Sequence, residues 1–221
     1  MERGEGERGE GERAERGLPP LVLASGSPQR RAMLERLGVE FEVRSPEVAE
    51  LDRGDPGAIA QENALRKALA ARRPGETETV LACDTVVALG GVVYGKPADE
   101  SAARATLGAL SGATHEVVSG LALLVGGQTL RAPPGMEARR GAAREDGPRT
   151  AVARTMVTFR VLEEGLLDWY LSTGEWRGRA GGYAIQGAGA ALVRSVEGDY
   201  ENVVGLPLAT LLDIYPELLS G

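Results

Sequence analysis

Thr79 to Pro97 reads TVLACDTVVALGGVVYGKP, and the reading of the fold turns on it. Val80 to Cys83 is a short apolar run suited to a strand buried on both faces. Asp84 and Thr85 follow at once. Val86 to Leu89 and Val92 to Tyr94 flank Gly90-Gly91, a two-residue hairpin signal. The stretch closes on Gly95-Lys96-Pro97. A carboxylate and an ammonium thus stand at opposite ends of one β unit. Strand ends are rigid, and the loops just beyond them are where α/β proteins usually bind ligands. A fixed anion that can hold a metal and a fixed cation that can hold a phosphate are what phosphoryl chemistry requires. By itself the stretch fits a surface hairpin with solvated charges equally well.

The composition narrows the choice. A chain of 221 residues is one domain, or one domain with two lobes, and 43% hydrophobic residues suffice for a real core. A net charge of -7 argues against a nucleic-acid-binding surface, and nothing points to a membrane surface. No apolar run approaches the length of a membrane span. The single Cys83 leaves no internal disulfide and fits a reducing compartment, the cytoplasm. With one histidine, a multi-histidine metal site is impossible. Any metal is therefore held mainly by oxygen, which favours Mg²⁺ or Mn²⁺.

Working outward, residues 1–17 are low-complexity Glu, Arg and Gly and read as a disordered charged tail. Residues 18–221 read as a single two-lobed domain. Leu21 to Ala24 is a short buried strand, then Ser25-Gly26-Ser27 turns the chain. Ser27 is placed to cap a helix whose first residue is Pro28. Strand, small-residue turn and helix together aim free backbone N–H groups at a phosphate, with Gln29, Arg30 and Arg31 on the first turn. Val39 to Val43 reads as a second strand leading into an acidic loop, where Glu47 and Glu50 are metal-ligand candidates or plain surface charge. Asp55-Pro56 opens a second helix, with Lys67 beside its apolar stripe. A lysine in that place more often snorkels than binds phosphate.

Beyond the opening stretch, Asp99 caps a third helix. Thr114 to Ser119 and Leu121 to Val125 read as strands, with His115 a neutral, hydrogen-bonded histidine. Gly126-Gly127 turns into a further short strand. Residues 132–147 have loop composition and read as an insertion. Val152 to Val161 is strand-like, and Glu163-Glu164 starts a fourth helix. Thr173 to Gly189 is dense in glycine, implying close backbone approach by a ligand or another strand. Tyr183 and Gln186 lie within it, a ring and an amide suited to a nucleobase. Ala190 to Ser195 reads as a strand, Gly198 to Gly205 as a turn, and Pro207 starts a last helix.

Six segments in order resemble the Maf proteins, nucleoside triphosphate pyrophosphatases first linked to septum formation. They are LASGSPQRRAML, the acidic loop ending at Glu50 with the helix carrying Lys67, CDTVVALGGVVYGKP, LSGATHEV, AGGYAIQG and GDYENVVGLPL. The resemblance runs from Leu21 to about Leu219. It implies an elongated mixed α/β fold, a twisted sheet flanked by helices in the Maf/ITPase-like manner, with two lobes around a cleft. It further implies Mg²⁺- or Mn²⁺-dependent hydrolysis of a nucleoside triphosphate to the monophosphate and pyrophosphate, in the branch acting on dTTP and UTP. Carried over residue by residue, Asp84 is the proton acceptor and a metal ligand. Glu50 is a metal-holding or water-positioning acid. Lys96 serves catalysis as a polyphosphate contact, and Arg30 and Lys67 are polyphosphate contacts too. Ser25, Arg30 and Lys67 are substrate contacts, while Gln29, Thr85 and Gln186 match positions associated with base choice. Gln29 stands where dTTP/UTP members often carry Arg, which keeps 7-methyl-GTP or other modified nucleotides as an alternative substrate. At Gly178-Arg179 the family commonly has Asp-Lys. A non-enzymatic regulator of cell division is the alternative from another class, and a homodimer stays open.

Overall fold

A computed structural model describes residues 19–75, 77–126 and 147–219. The chain runs β1 (Leu21–Leu23), α1 (Pro28–Arg36), β2 (Glu42–Val43), α2 (Pro56–Ala71), β3 (Thr79–Leu89), β4 (Val92–Tyr94), α3 (Glu100–Leu110), β5 (Thr114–Leu124), β6 (Arg149–Phe159), α4 (Glu164–Thr173), β7 (Val193–Glu197), α5 (Tyr200–Val204) and α6 (Leu208–Ile214). Short 3₁₀ turns occupy Ala180–Gly182, Ala188–Leu192 and Pro216–Leu218. The strands form one mixed sheet in the order β2-β1-β3-β5-β6-β7, with β4 also paired to β3. β1 is parallel to both β2 and β3, and the remaining pairs are antiparallel. This is the mixed, helix-flanked α/β architecture the sequence leads one to expect.

The β3–β4 hairpin closes through Gly90 and Gly91, whose φ angles of 58° and 81° only glycine adopts cheaply. β3 itself is buried along most of its length. Because side chains alternate along a strand, its two faces enter different cores. Val80 and Ala82 pack with Ala64, Ala68 and Ala71 of α2. Leu81 and Cys83 pack with Met33 and Leu34 of α1 and Leu211 of α6. Further along, Val87 joins a separate core with Leu107, Val157, Phe159 and Tyr170. Two lobes thus share the long strands β3 and β5, one with an apolar cluster on each sheet face and the other with the third of these clusters.

Between the lobes β3 has a bare edge. β1 pairs with it at Thr79 to Leu81, and β4 at Val87 to Leu89. Asp84 and Thr85 fall in the gap, where no strand among the described residues partners that edge. The opposite edge is paired to β5 throughout this region, with Asp84 opposite Gly120 and Thr85 opposite Ser119.

Several expected boundaries move. The second strand shrinks to Glu42–Val43 because the Val39 N–H closes the C-terminus of α1 on Leu34 O at 3.1 Å. The two strands expected at 114–125 are one strand, β5, passing straight through Gly120. A Cβ on that glycine would lie 2.3 Å from the Ala60 backbone, so its absence lets α2 sit close on the sheet. Within the expected turn at 198–205 stands α5, capped by Asp199 Oδ1, which accepts from the Glu201 N–H at 2.8 Å. The last strand is Val193–Glu197, preceded by a 3₁₀ turn at Ala188–Leu192, rather than 190–195. The tail at 1–17, the strand after Gly127 and nearly all of the insertion at 132–147 lie outside the described residues.

Candidate active site

A cleft of about 370 Å³ opens at the bare edge of β3. Its lining includes Ser25, Gln29, Arg30, Glu50, Lys67, Asp84, Thr85, Lys96 and Gln186. These nine candidates from the sequence therefore line one space, although they span more than 160 positions of chain, whereas Glu47 and Arg31, also considered from the sequence, are not part of it.

Asp84 points toward α2. Its Oδ1 accepts from Lys67 Nζ at 2.5 Å and its Oδ2 from Asn63 Nδ2 at 3.1 Å. Asn63 and Lys67 are four residues apart, hence neighbours on one side of the helix. Glycine at position 120 is what brings that side within reach. Asn63 is 1% exposed and also exchanges two hydrogen bonds with the Leu51 backbone, 2.7 Å to its N–H and 3.0 Å to its carbonyl. That clamp holds the acidic loop so that Glu50 Oε1 lies 2.6 Å from Lys67 Nζ. The expectation that Lys67 snorkels is thus corrected: its ammonium bridges two carboxylates, and its side chain is only 13% exposed. Carboxylate oxygens of Glu50 and Asp84 within 2.6 Å of one nitrogen are a hard-donor pair suited to Mg²⁺ or Mn²⁺. Among the described residues no three His, Cys, Asp or Glu side chains gather to hold a metal.

Thr85 faces the other way, toward α1. The buried Arg30 guanidinium donates from Nε to Gly205 O at 2.8 Å, from Nη1 to Ser25 Oγ at 3.0 Å and from Nη2 to Thr85 Oγ1 at 3.0 Å. Thr85 Oγ1 also shares a hydrogen with Ser119 Oγ at 2.8 Å. Thr85 thus lines the cleft, with Ser119 buried behind it. Ser27 caps α1 as expected, accepting from the Arg30 N–H at 3.5 Å, and its hydroxyl donates to Gln29 Oε1 at 3.1 Å.

The opposite wall is made by the loop after β4 and the glycine-dense segment. Lys96, Arg179, Tyr183 and Gln186 line it. Gly181 N–H donates to Gly95 O at 3.1 Å, tying the two loops together. The Tyr183 ring stands edge-on to Phe159 and His115, and its hydroxyl is 2.9 Å from His115 Nε2. Burial pushes the His115 imidazole down to about 4, so it is neutral near pH 7, as the sequence suggests. Burial also raises the Tyr183 phenol well above its ordinary range. Gln186 is exposed within the cleft.

Sequence reasoning passed over Asn63 and Ser119. Asn63 has a signal, four residues before Lys67 on the same helix. Ser119 has none, because only the β3–β5 register sets it against Thr85.

Residues 20–218 match the family model of the Maf-like proteins. The chain belongs to that family. It is 43% identical over 195 residues to a protein of Deinococcus radiodurans named dTTP/UTP pyrophosphatase, covering 88% of this chain and 90% of that one. It is 41% identical over 198 residues to a Pyrococcus furiosus protein of the same name, covering 88% and 93%. A solved structure of a HAM1 protein from Coxiella burnetii superposes with a TM-score of 0.47 at 17% identity, over 90% of this chain and 100% of that one. Among the described residues of this Maf-like chain, no helix is long and apolar enough to cross a membrane.

Proposed function

We propose that this Maf-like protein hydrolyses nucleoside triphosphates, dTTP and UTP foremost, to the monophosphate and pyrophosphate. One observation carries the reading. Two carboxylates bridged by a lysine line a single cleft with three further cations, in a chain whose relatives at over 40% identity bear that activity in their names. The reaction adds water across the α–β anhydride: an O–Pα bond forms, the Pα–O bond to the β-phosphate breaks, and pyrophosphate leaves.

In this reading Asp84 orients the attacking water and accepts its proton. Each carboxylate oxygen has room for a second hydrogen bond beyond those from Lys67 and Asn63. Holding both oxygens from α2 fixes the carboxylate plane, so little reorganisation is needed as the water attacks. Glu50 and Asp84 would hold Mg²⁺ or Mn²⁺, which when bound supplies neutralising charge to the phosphate oxygens. Lys67 keeps the two acids together when no divalent cation is present. Lys96 meets the phosphate tail, the Ser25 turn receives it, and Gln186 and Thr85 read the base, with Gln29 beside them. The cytoplasm, where nucleoside triphosphates reside, is the location this reading requires.

The test is pyrophosphate release from dTTP, UTP, CTP, GTP, dATP and 7-methyl-GTP, with Mn²⁺, with Mg²⁺ and with a chelator. Metal-dependent release, fastest from dTTP and UTP, is expected. Release from none of the panel would overturn the enzymatic reading in favour of a nucleotide-binding regulator, and a preference for 7-methyl-GTP would overturn the substrate.

A further inference from the structure

Four cationic side chains line the cleft: Arg30, Lys67, Lys96 and Arg179. Two of them are already engaged. All three donor nitrogens of Arg30 point into the protein, to Gly205 O, Ser25 Oγ and Thr85 Oγ1. The Lys67 ammonium is held between Glu50 and Asp84. Lys96 and Arg179 make no side-chain hydrogen bond or ion pair to any described residue, and the Arg179 Nε is shut off from solvent with no acceptor among those residues. A buried donor without a partner is uncommon and calls for an explanation.

The fold goes to some length to put Arg179 there. Gly178 and Gly181 flank it with φ of 70° and 66°, the left-handed region in which a side chain would be strained. A Cβ on Gly181 would come within 2.8 Å of the Val87 side chain. The Gly181 N–H to Gly95 O bond then sets this loop directly against the one that carries Lys96. Glu175, the acid nearest in sequence, does not neutralise Arg179, since its two oxygens accept from the N–H groups of Ala188 and Gly189 at 2.9 and 3.1 Å. Gly178, immediately before it, offers no side chain. The outcome is two cations with no partner among the described residues, carried by loops joined at the Gly181–Gly95 bond and lining the same cleft as the acid pair.

We infer that Arg179 is a substrate-binding residue which, together with Lys96, grips the β- and γ-phosphates of the triphosphate, while Arg30 and Lys67 chiefly build the opposite wall. The inference rests on the pyrophosphatase reading and sharpens it. A guanidinium presents a planar fork that matches two phosphate oxygens at once, and Nε is one prong of that fork. A pyrophosphate tail brings the acceptors that the buried Nε lacks. The nucleoside and its α-phosphate need not touch Arg179, which makes the role separable in experiment.

The experiment titrates inorganic pyrophosphate and dTMP separately into the full-length wild type, Arg179→Met and Arg179→Lys by calorimetry, with Mn²⁺ present. It also measures kcat and KM for dTTP. In Arg179→Met we expect pyrophosphate to bind about 10- to 100-fold more weakly, the loss typical of a charge-assisted pair. dTMP binding should stay within about twofold, and Arg179→Lys should recover part of the loss. Unchanged pyrophosphate affinity in Arg179→Met would overturn the inference, as would equal weakening of dTMP. Pyrophosphate binding that is lost in Arg179→Met, in a wild type that hydrolyses nothing, would uphold the grip while the enzymatic reading falls. Should Arg179→Met fail to fold, Arg179→Gln takes its place in the same titrations.

Discussion

The two walls of the cleft are built on opposite plans. On the wall formed by α1, α2 and β3, the charged groups are engaged by the protein itself before a ligand arrives. Arg30 donates from each of its three nitrogens, Lys67 bridges two acids, and Asn63 pins both Asp84 and the acidic loop. On the wall formed by the loop after β4 and the glycine-dense segment, Lys96, Arg179 and Gln186 carry no such partners among the described residues. The first wall spends interaction energy on holding catalytic groups still, which favours the transition state. The second keeps its hydrogen-bonding capacity for the substrate. A cation's position in a cleft therefore says less about what it binds than whether its charge is already matched.

That contrast can be broken by mutation, and the largest effect belongs to the first wall. We expect Asp84→Asn to lower kcat by about 10²–10⁴-fold, the usual worth of a positioned general base. A pyrophosphate-release assay measures it, and turnover within a few-fold of wild type would remove Asp84 from the chemistry. Next come Lys67→Met and Lys96→Met, both of which should slow turnover. Only Lys67→Met should also cost stability, by about 3 kcal/mol, because it leaves the largely buried Asp84 beside Glu50 without its counter-charge. Lys96→Met should shift denaturant stability by no more than about 0.5 kcal/mol. Equal stability losses would erase the distinction between the walls.

A smaller and purely structural effect is expected at Gly120→Ala. The new Cβ presses on the Ala60 backbone and should cost about 1–3 kcal/mol of stability, read from chemical denaturation. It should raise KM less than it lowers stability. The pH dependence is subtler still. The His115 imidazole ionises near 4 in the folded protein, below its unfolded value, so the unfolded chain binds the extra proton first. The resulting stability is fully present above about pH 6.5 and is lost as pH falls toward 4, at no more than about 1.4 kcal/mol per pH unit. In His115→Gln that slope should flatten in pH-dependent thermal melts. The smallest effect is expected at Gln186→Ala, which should change the ratio of dTTP to GTP rates while leaving the melting temperature unmoved. An unchanged ratio would take Gln186 out of base reading.

Much of this was legible along the chain because it depends on local chemistry. The glycine pair at 90–91 dictates a tight hairpin, Ser27-Pro28 and Asp55-Pro56 dictate helix starts, and the pattern of motifs carries the family. The same local reading failed where a backbone group was claimed from elsewhere. Val39 could not begin a strand once its N–H closed the preceding helix, and Gly120 could not break one when a helix backbone packed against it.

The sequence alone determined which chemical groups are present: two acids, three cations, two hydroxyls and two amides in motifs that resemble those of a nucleotide-hydrolysing family. Only the tertiary structure decided which of those charges are already matched and which remain available. Alternation along β3 sends Asp84 to one helix and Thr85 to another, and the register with β5 puts Gly120 and Ser119 behind them. Pairing of that kind joins residues far apart in the chain, and no local pattern of residues encodes it.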